Sequence, residues 1–277
     1  MSNPIVPVRA LLGTLALALA TVGPVRAESY SLLVEPTYDP VRAAGVYEPL
    51  INYLRKETGL DIRLQTSRNF HFYWRDLRRN EKFDFVFEEA HFTDFRTKRF
   101  GFTPLVRTAE PSVYTLLVRP EDAREGLDGL IGHNIVCMPA PSMGFAALLG
   151  LFNNPVAQPE IITFAASWRD GVEMIYGGEA KGAMVPRWLN EEYHDLVAIA
   201  ESTEFAGPAI SASSTVPEEA RSRVREALLV LHEKVDDDPT LYEILHELGI
   251  TRFEPATRGD YDGAERMLQG FHGYDRE

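Results

Sequence analysis

The chain has 277 residues, 45% hydrophobic and 25% charged, with a formal net charge of −13. That balance excludes a disordered or fibrous chain, and the acidity argues against a nucleic-acid binder, which needs basic stripes. A chain this long buries a full core, and cores of this size tend to divide.

Residues 1–27 differ from the rest. Arg9 stands near the start, an apolar run follows from Ala10 to Val22, and Val25-Arg26-Ala27 precedes the first acidic residue, Glu28. A basic start, a short apolar stretch and a small-residue exit predict a secretory signal peptide cleaved after Ala27. The run is shorter than the roughly 20 residues that span a bilayer. No cysteine stands at the cleavage point, so no lipid anchor is expected. Cleavage removes two arginines and leaves the mature chain more acidic, in the periplasm.

The mature chain alternates strands and helices. Tyr30–Val34 reads as a strand. Val46–Glu57 reads as a helix with Tyr47, Leu50, Ile51 and Leu54 on one face, stopped by Gly59. Asp61–Gln65 is a strand, Phe70–Arg79 a helix capped by Asn69, Phe83–Phe87 a strand and Ala90–Arg99 a helix. Ser112–Val118 is a strand, after which the pattern restarts: strand Asn134–Met138, helix Ser142–Phe152, strand Glu160–Phe164, helix Ser167–Tyr176, strand Gly182–Val185. Ala209–Ser213 reads as a returning strand, and helices are expected over Pro217–Val235, Pro239–Leu248 and Gly259–Gln269. Alternation of this kind predicts α/β lobes with parallel sheets. Cys137, the one cysteine, sits in a strand and reads as a core thiol with no disulfide partner.

Several stretches resemble the phosphate, phosphite and phosphonate-binding family of periplasmic ABC-transporter components. They are Tyr47-Glu48-Pro49-Leu50-Ile51-Asn52-Tyr53-Leu54-Arg55-Lys56-Glu57-Thr58-Gly59, Phe83-Asp84-Phe85-Val86-Phe87 with Ala90-His91-Phe92-Thr93, and Tyr114-Thr115-Leu116-Leu117-Val118-Arg119. Leu127-Asp128-Gly129-Leu130-Ile131-Gly132, Leu248-Gly249-Ile250-Thr251-Arg252-Phe253 and Tyr261-Asp262 continue the match in order. The resemblance implies a type II periplasmic-binding fold: two doubly wound α/β lobes joined by a two-strand hinge, closing on a small ligand. Lobe one would hold residues 28–112 and 213–277, and lobe two residues 113–212. It also implies a membrane permease or membrane sensor as partner, a monomeric chain and no cofactor.

Ligands of open parallel sheets bind beyond the carboxyl ends of the strands. The turns there carry Glu35 and Tyr38, then Glu88, Glu89 and His91, then Arg187 and Trp188; Tyr114 lies in the crossing strand. Ser142 and Ser167 begin helices, where free N–H groups seat anions; either is equally a plain N-cap. Arg187 is a candidate anion clamp.

Against the family pattern, Glu35, Glu88, Glu89 and His91 crowd the strand ends, and the family's hydroxyl-rich turn is reduced to Ser142. These acids either cap the helix from Ala90, touch a cationic or zwitterionic ligand, or, with His91, form a metal site of no recognised spacing. The ligand expected from the resemblance is a phosphonate-like oxyanion, with a zwitterion second. The metal-binding or sensing reading through Glu88, Glu89 and His91 is the alternative. No nucleophile elbow, Walker loop, dinucleotide fingerprint or His-Glu-x-x-His helix is present, so no catalytic residue is expected.

Overall fold

The computed structural model describes Met1, residues 29–152 and residues 154–274. The expected leader, apart from Met1, lies outside the described residues.

The first sheet begins with β1 (Ser29–Val34). α1 (Pro40–Thr58) follows, six residues longer at its start than the apolar periodicity suggested. Its true N-cap is Asp39, whose carboxylate accepts from the N–H groups of Val41 and Arg42, with Pro40 preset for the first turn. Gly59 ends it in the left-handed region (φ 69°). β2 (Asp61–Gln65), α2 (Phe70–Arg78), β3 (Phe85–Glu88) and α3 (Ala90–Phe100) continue the alternation. A strand that the sequence did not reveal, β4 (Thr103–Thr108), then precedes the crossing to the second sheet.

The second sheet contains β5 (Tyr114–Val118), β6 (Asn134–Val136), α4 (Met143–Leu151), β7 (Glu160–Ile162), α5 (Trp168–Tyr176), β8 (Gly182–Pro186) and a second unforeseen strand, β9 (Val197–Glu201). The chain returns through β10 (Ala209–Ala212), α6 (Glu218–Leu229), α7 (Pro239–Glu247) and β11 (Phe253–Pro255). The expected helix over 217–235 thus stops at Leu229 and passes into a 3₁₀ turn, Leu231–Lys234. The expected helix over 259–269 is two 3₁₀ turns, Arg258–Tyr261 and Ala264–Leu268, split by Gly263 at φ 90°.

Strand order is β11-β4-β10-β3-β1-β2 in one sheet and β7-β6-β8-β5-β9 in the other. β1, β2 and β3 run parallel, as do β6, β7 and β8. β10 is antiparallel to both β3 and β4, and β5 to both β8 and β9, so each sheet is mixed rather than wholly parallel. β10 therefore belongs to the first sheet, although the boundary at 212 had grouped it with the second lobe. The two crossing segments bond to each other at Ser112 and Phe205 through paired N–H···O contacts of 3.0 Å.

Two apolar clusters hold this together. One lies on the α1, α6 and α7 face of the first sheet, with Leu32, Leu50, Leu54, Ile210 and Leu228 nearly inaccessible. The other runs from the α2 and α3 face, through Tyr73 and Phe92, into the second sheet at Leu116, Val136 and Val185. Each such aliphatic side chain contributes about 1.5–3 kcal/mol by leaving water. The lobes thus share apolar packing on one flank and part on the other, where the strand ends face each other across a cavity.

Candidate functional site

The cavity between the lobes has a volume of about 420 Å³. β1 and β3 deliver Glu35 and Glu89 to its floor, and Thr37, Tyr38 and Tyr47 line it from the loop after β1 and from α1. The second lobe supplies Tyr114 from β5, Trp168 from the start of α5, and Arg187 and Trp188 from the turn after β8. Glu247 and Gly249 close the rim at the end of α7.

Carboxylates dominate this space. Glu35 is 7% exposed, and its Oε1 accepts from the Glu89 N–H at 2.6 Å. Its Oε2 has no hydrogen-bond partner among the described residues. Burial drives the Glu35 carboxyl well above the ordinary carboxylate range, and the Glu89 charge adds to the rise. Glu89, at the N-cap position of α3, makes no side-chain cap there. Instead it reaches across the junction: Ser112 Oγ donates to its Oε2 at 2.5 Å and Tyr114 Oη to its Oε1 at 3.1 Å. Burial raises the Glu89 pKa, and those two hydroxyls work against the rise. Burial, with the neighbouring Glu89 and Glu35 charges, keeps the Tyr114 hydroxyl protonated, so it stays a donor.

Glu88 touches the cavity wall but its charge is spent elsewhere. Its Oε2 accepts from Arg96 Nε at 2.9 Å and from the Tyr73 hydroxyl, with both ion-pair partners fully enclosed. Burial pulls the Arg96 pKa down; the Glu88 charge and Tyr73 outweigh it and raise it above its ordinary value. This is a structural pair beneath the floor. His91 points away as well. Its Nε2 lies 2.9 Å from the Pro141 carbonyl of the second lobe, its ring stacks on Phe92, and burial lowers its pKa to about 4. The metal-site expectation for Glu88, Glu89 and His91 is corrected accordingly, since the three side chains diverge. Among the described residues no group of three His, Cys, Asp or Glu side chains is placed to hold a metal.

The two expected anion seats are also corrected. Ser142 and Ser167 accept from the N–H groups of Phe145 and Asp170, as N-caps, and both are buried outside the cavity lining. The start of α4 is sealed: a Cβ at Gly144 would stand 2.9 Å from the Tyr114 ring and 3.0 Å from Trp168. Arg187 does line the cavity, but it is exposed and lies 3.8 Å from Glu201.

Several contacts bridge the lobes that sequence reasoning missed. Arg169 of α5 reaches Glu247 of α7 at 2.8 Å, and the same carboxylate accepts from Tyr38 Oη at 2.7 Å. Arg42 of α1 meets Asp170 of α5 at 3.4 Å. Arg169 also stands over the Trp188 ring, 5.1 Å from its centre, and Trp188 packs on the bare backbone of Gly249. None of these partners sits in a local motif, so only the folded chain reveals them.

A protein-family model described as "ABC transporter, phosphonate, periplasmic substrate-binding protein" matches residues 32–261. No curated protein matches the chain. Among solved structures, it is similar to PhnD1 of Prochlorococcus marinus in complex with methylphosphonate, with TM-score 0.69 and 12% identity over 87% of this chain and 97% of that one. It is also similar to the binding component of an ABC phosphonate transporter of Pseudomonas aeruginosa (TM-score 0.64, 13% identity, 86% and 83% coverage). A Xanthomonas citri protein bound to ATP gives TM-score 0.64 at 16% identity, with 87% and 97% coverage. At these identities the likenesses establish the fold, the two-lobed type II periplasmic-binding architecture.

Proposed function

The chain belongs to the phosphonate-binding family of periplasmic ABC-transporter substrate-binding proteins, and from that membership we propose that it captures a small solute between its lobes by closing on it. The observation that carries the reading is the 420 Å³ cavity at the carboxyl ends of both sheets, lined from both lobes. A solute touching both walls adds contacts only in the closed arrangement, so it shifts the population towards closure. The Arg169–Glu247 and Arg42–Asp170 pairs and the Trp188–Gly249 contact would form on closing.

Export with cleavage near Ala27, work as a monomer, and delivery to a membrane permease complete the proposal. Glu35, Tyr38, Glu89, Tyr114, Arg187 and Trp188 are the proposed contacts from the sequence, joined by Tyr47 and Trp168. Capture is proposed without chemical change to the solute. Two tryptophans on the cavity wall give the test: the solute that binds should change tryptophan emission, saturate with one site per chain, and be recovered unaltered. Binding that leaves the emission of Trp168 and Trp188 unchanged, judged with single-tryptophan variants, contradicts capture at this cavity.

A further inference from the structure

The cavity has the charge of a cation receptor. Its lining holds seven glutamates and one arginine; Arg96 pairs with Glu88, Arg169 with Glu247 and Arg187 with Glu201, which leaves Glu35, Glu89, Glu110 and Glu191 without an ion pair among the described residues. An oxyanion entering it would meet carboxylates and lose its water against them, which is costly without compensating donors.

Three donors at the junction of the lobes are already taken. The Glu89 N–H, at the start of α3, serves the Glu35 carboxylate. The Ser112 and Tyr114 hydroxyls serve the Glu89 carboxylate. The protein's own acids thus occupy the helix-start position that an anionic solute would use. The start of α4 is covered by the Tyr114 and Trp168 rings, and at the start of α5 the Asp170 N–H is taken by the Ser167 cap.

A second observation is independent of the number of acids. Glu35 is more than nine-tenths buried, lines the cavity, and leaves Oε2 without a partner among the described residues. A carboxyl oxygen left facing the cavity is satisfied by a group the solute brings, and a cationic N–H donor both bonds it and favours its ionised form against the burial. Tyr38, Tyr47 and Trp168 line the same space, and the Tyr38 ring already holds the Arg42 guanidinium 5.1 Å from its centre, the kind of contact an aromatic ring makes with a cation.

We propose that the solute of this cleft is an organic cation, with an ammonium or guanidinium group seated against Glu35 and Glu89 and walled by the neighbouring aromatic rings. The proposal rests on the solute-capture reading and narrows it. Arg187 then has no role in holding the solute's charge.

The test is calorimetric titration of the purified mature chain at pH 7.5. The probes are 1,4-diaminobutane, 2-aminoethanol and agmatine on one side, methylphosphonate and inorganic phosphate on the other. At least one amine binds, the anions do not, and Glu35→Gln weakens the amine roughly tenfold or more, the size of one lost charge-assisted contact. Glu57→Gln, on an exposed turn of α1 outside the cavity, leaves amine affinity unchanged. Silence from all three amines overturns the proposal, and so does an amine affinity indifferent to Glu35→Gln. Methylphosphonate binding that needs Arg187 overturns it while leaving solute capture intact. Solute capture itself fails separately, if a bound probe of either sort leaves the distance between the lobes unchanged.

Discussion

Gly249 is where a single methyl group should separate lobe closure from stability. It follows α7 in the first lobe at φ 65°, and a Cβ there would stand 2.4 Å from Cδ2 and 2.5 Å from Cγ of Trp188 in the second lobe. Gly249→Ala has two costs. The left-handed backbone costs about 1–2 kcal/mol in any arrangement of the lobes and appears as a lower melting temperature. Under the proposed closure, the contact with Trp188 arises only when the lobes are closed. Carbon atoms rest about 3.5–4.0 Å apart, so the ring must withdraw by about 1 Å, and Arg169 above it must follow. Overpacking of this kind costs about 1–3 kcal/mol, which weakens solute binding by roughly five- to 150-fold at 1.4 kcal/mol per factor of ten. Paired thermal unfolding and calorimetric titration of the wild type and the variant read the two costs separately. Trp188→Ala placed in the Gly249→Ala background removes the obstacle and should recover most of the affinity lost to it. Unchanged affinity in Gly249→Ala, or a loss that persists after Trp188 is removed, refutes the argument.

Glu247→Gln removes the charge that Arg169 and Tyr38 share across the cleft. The pair is partly exposed, so solute binding should weaken by no more than roughly tenfold and lose its sensitivity to salt there; a calorimetric salt series checks this. Arg96→Met strands Glu88 in the protein interior, and chemical denaturation should show a loss of about 3–5 kcal/mol, much of it regained when Glu88→Gln is added. Two buried groups should give stability opposite pH trends. The raised Glu35 pKa means stability is lost as pH rises from the unfolded value near 4.5 through the folded one, with Glu89, Glu88, Arg96 and Tyr47 as the charged or titratable groups facing it. The lowered His91 pKa means stability is lost as pH falls from 6.5 towards about 4. Melting temperatures across pH 4–8 should flatten on the first limb in Glu35→Gln and on the second in His91→Gln. Cys137 is enclosed, and burial pushes its thiol pKa up, so a thiol reagent should label it only on unfolding.

The alternation of apolar strands and amphipathic helices was legible because each element buries one face and repeats its pattern locally. The cap signals that place Gly59, Asn69, Ser142 and Ser167 were legible for the same reason, since each acts on its own helix end. β4, β9 and β11 were not, because their pairing partners lie far off in the chain and their own sequences show no strong alternation. Strand-end reasoning brought Glu35, Tyr38, Glu88, Glu89, Arg187 and Trp188 to attention, and all six line the cavity. What it could not supply was direction. Glu88 turns to Arg96, His91 to Pro141, and the two serines inward to their own helices. Glu247 and Arg169 look like ordinary helix residues in one dimension, and meet across the cleft only when α5 and α7 face each other.

The most direct test of solute capture is the distance between the lobes. Cys137 is buried, so Lys56→Cys in the first lobe and Glu179→Cys in the second can be labelled selectively with spin labels on exposed positions. Pulsed dipolar spectroscopy should show a broad or longer distance in the solute-free chain, replaced by one shorter, narrow distance when the solute that binds in calorimetry is added. The same distance distribution before and after saturating that solute would contradict capture by lobe closure.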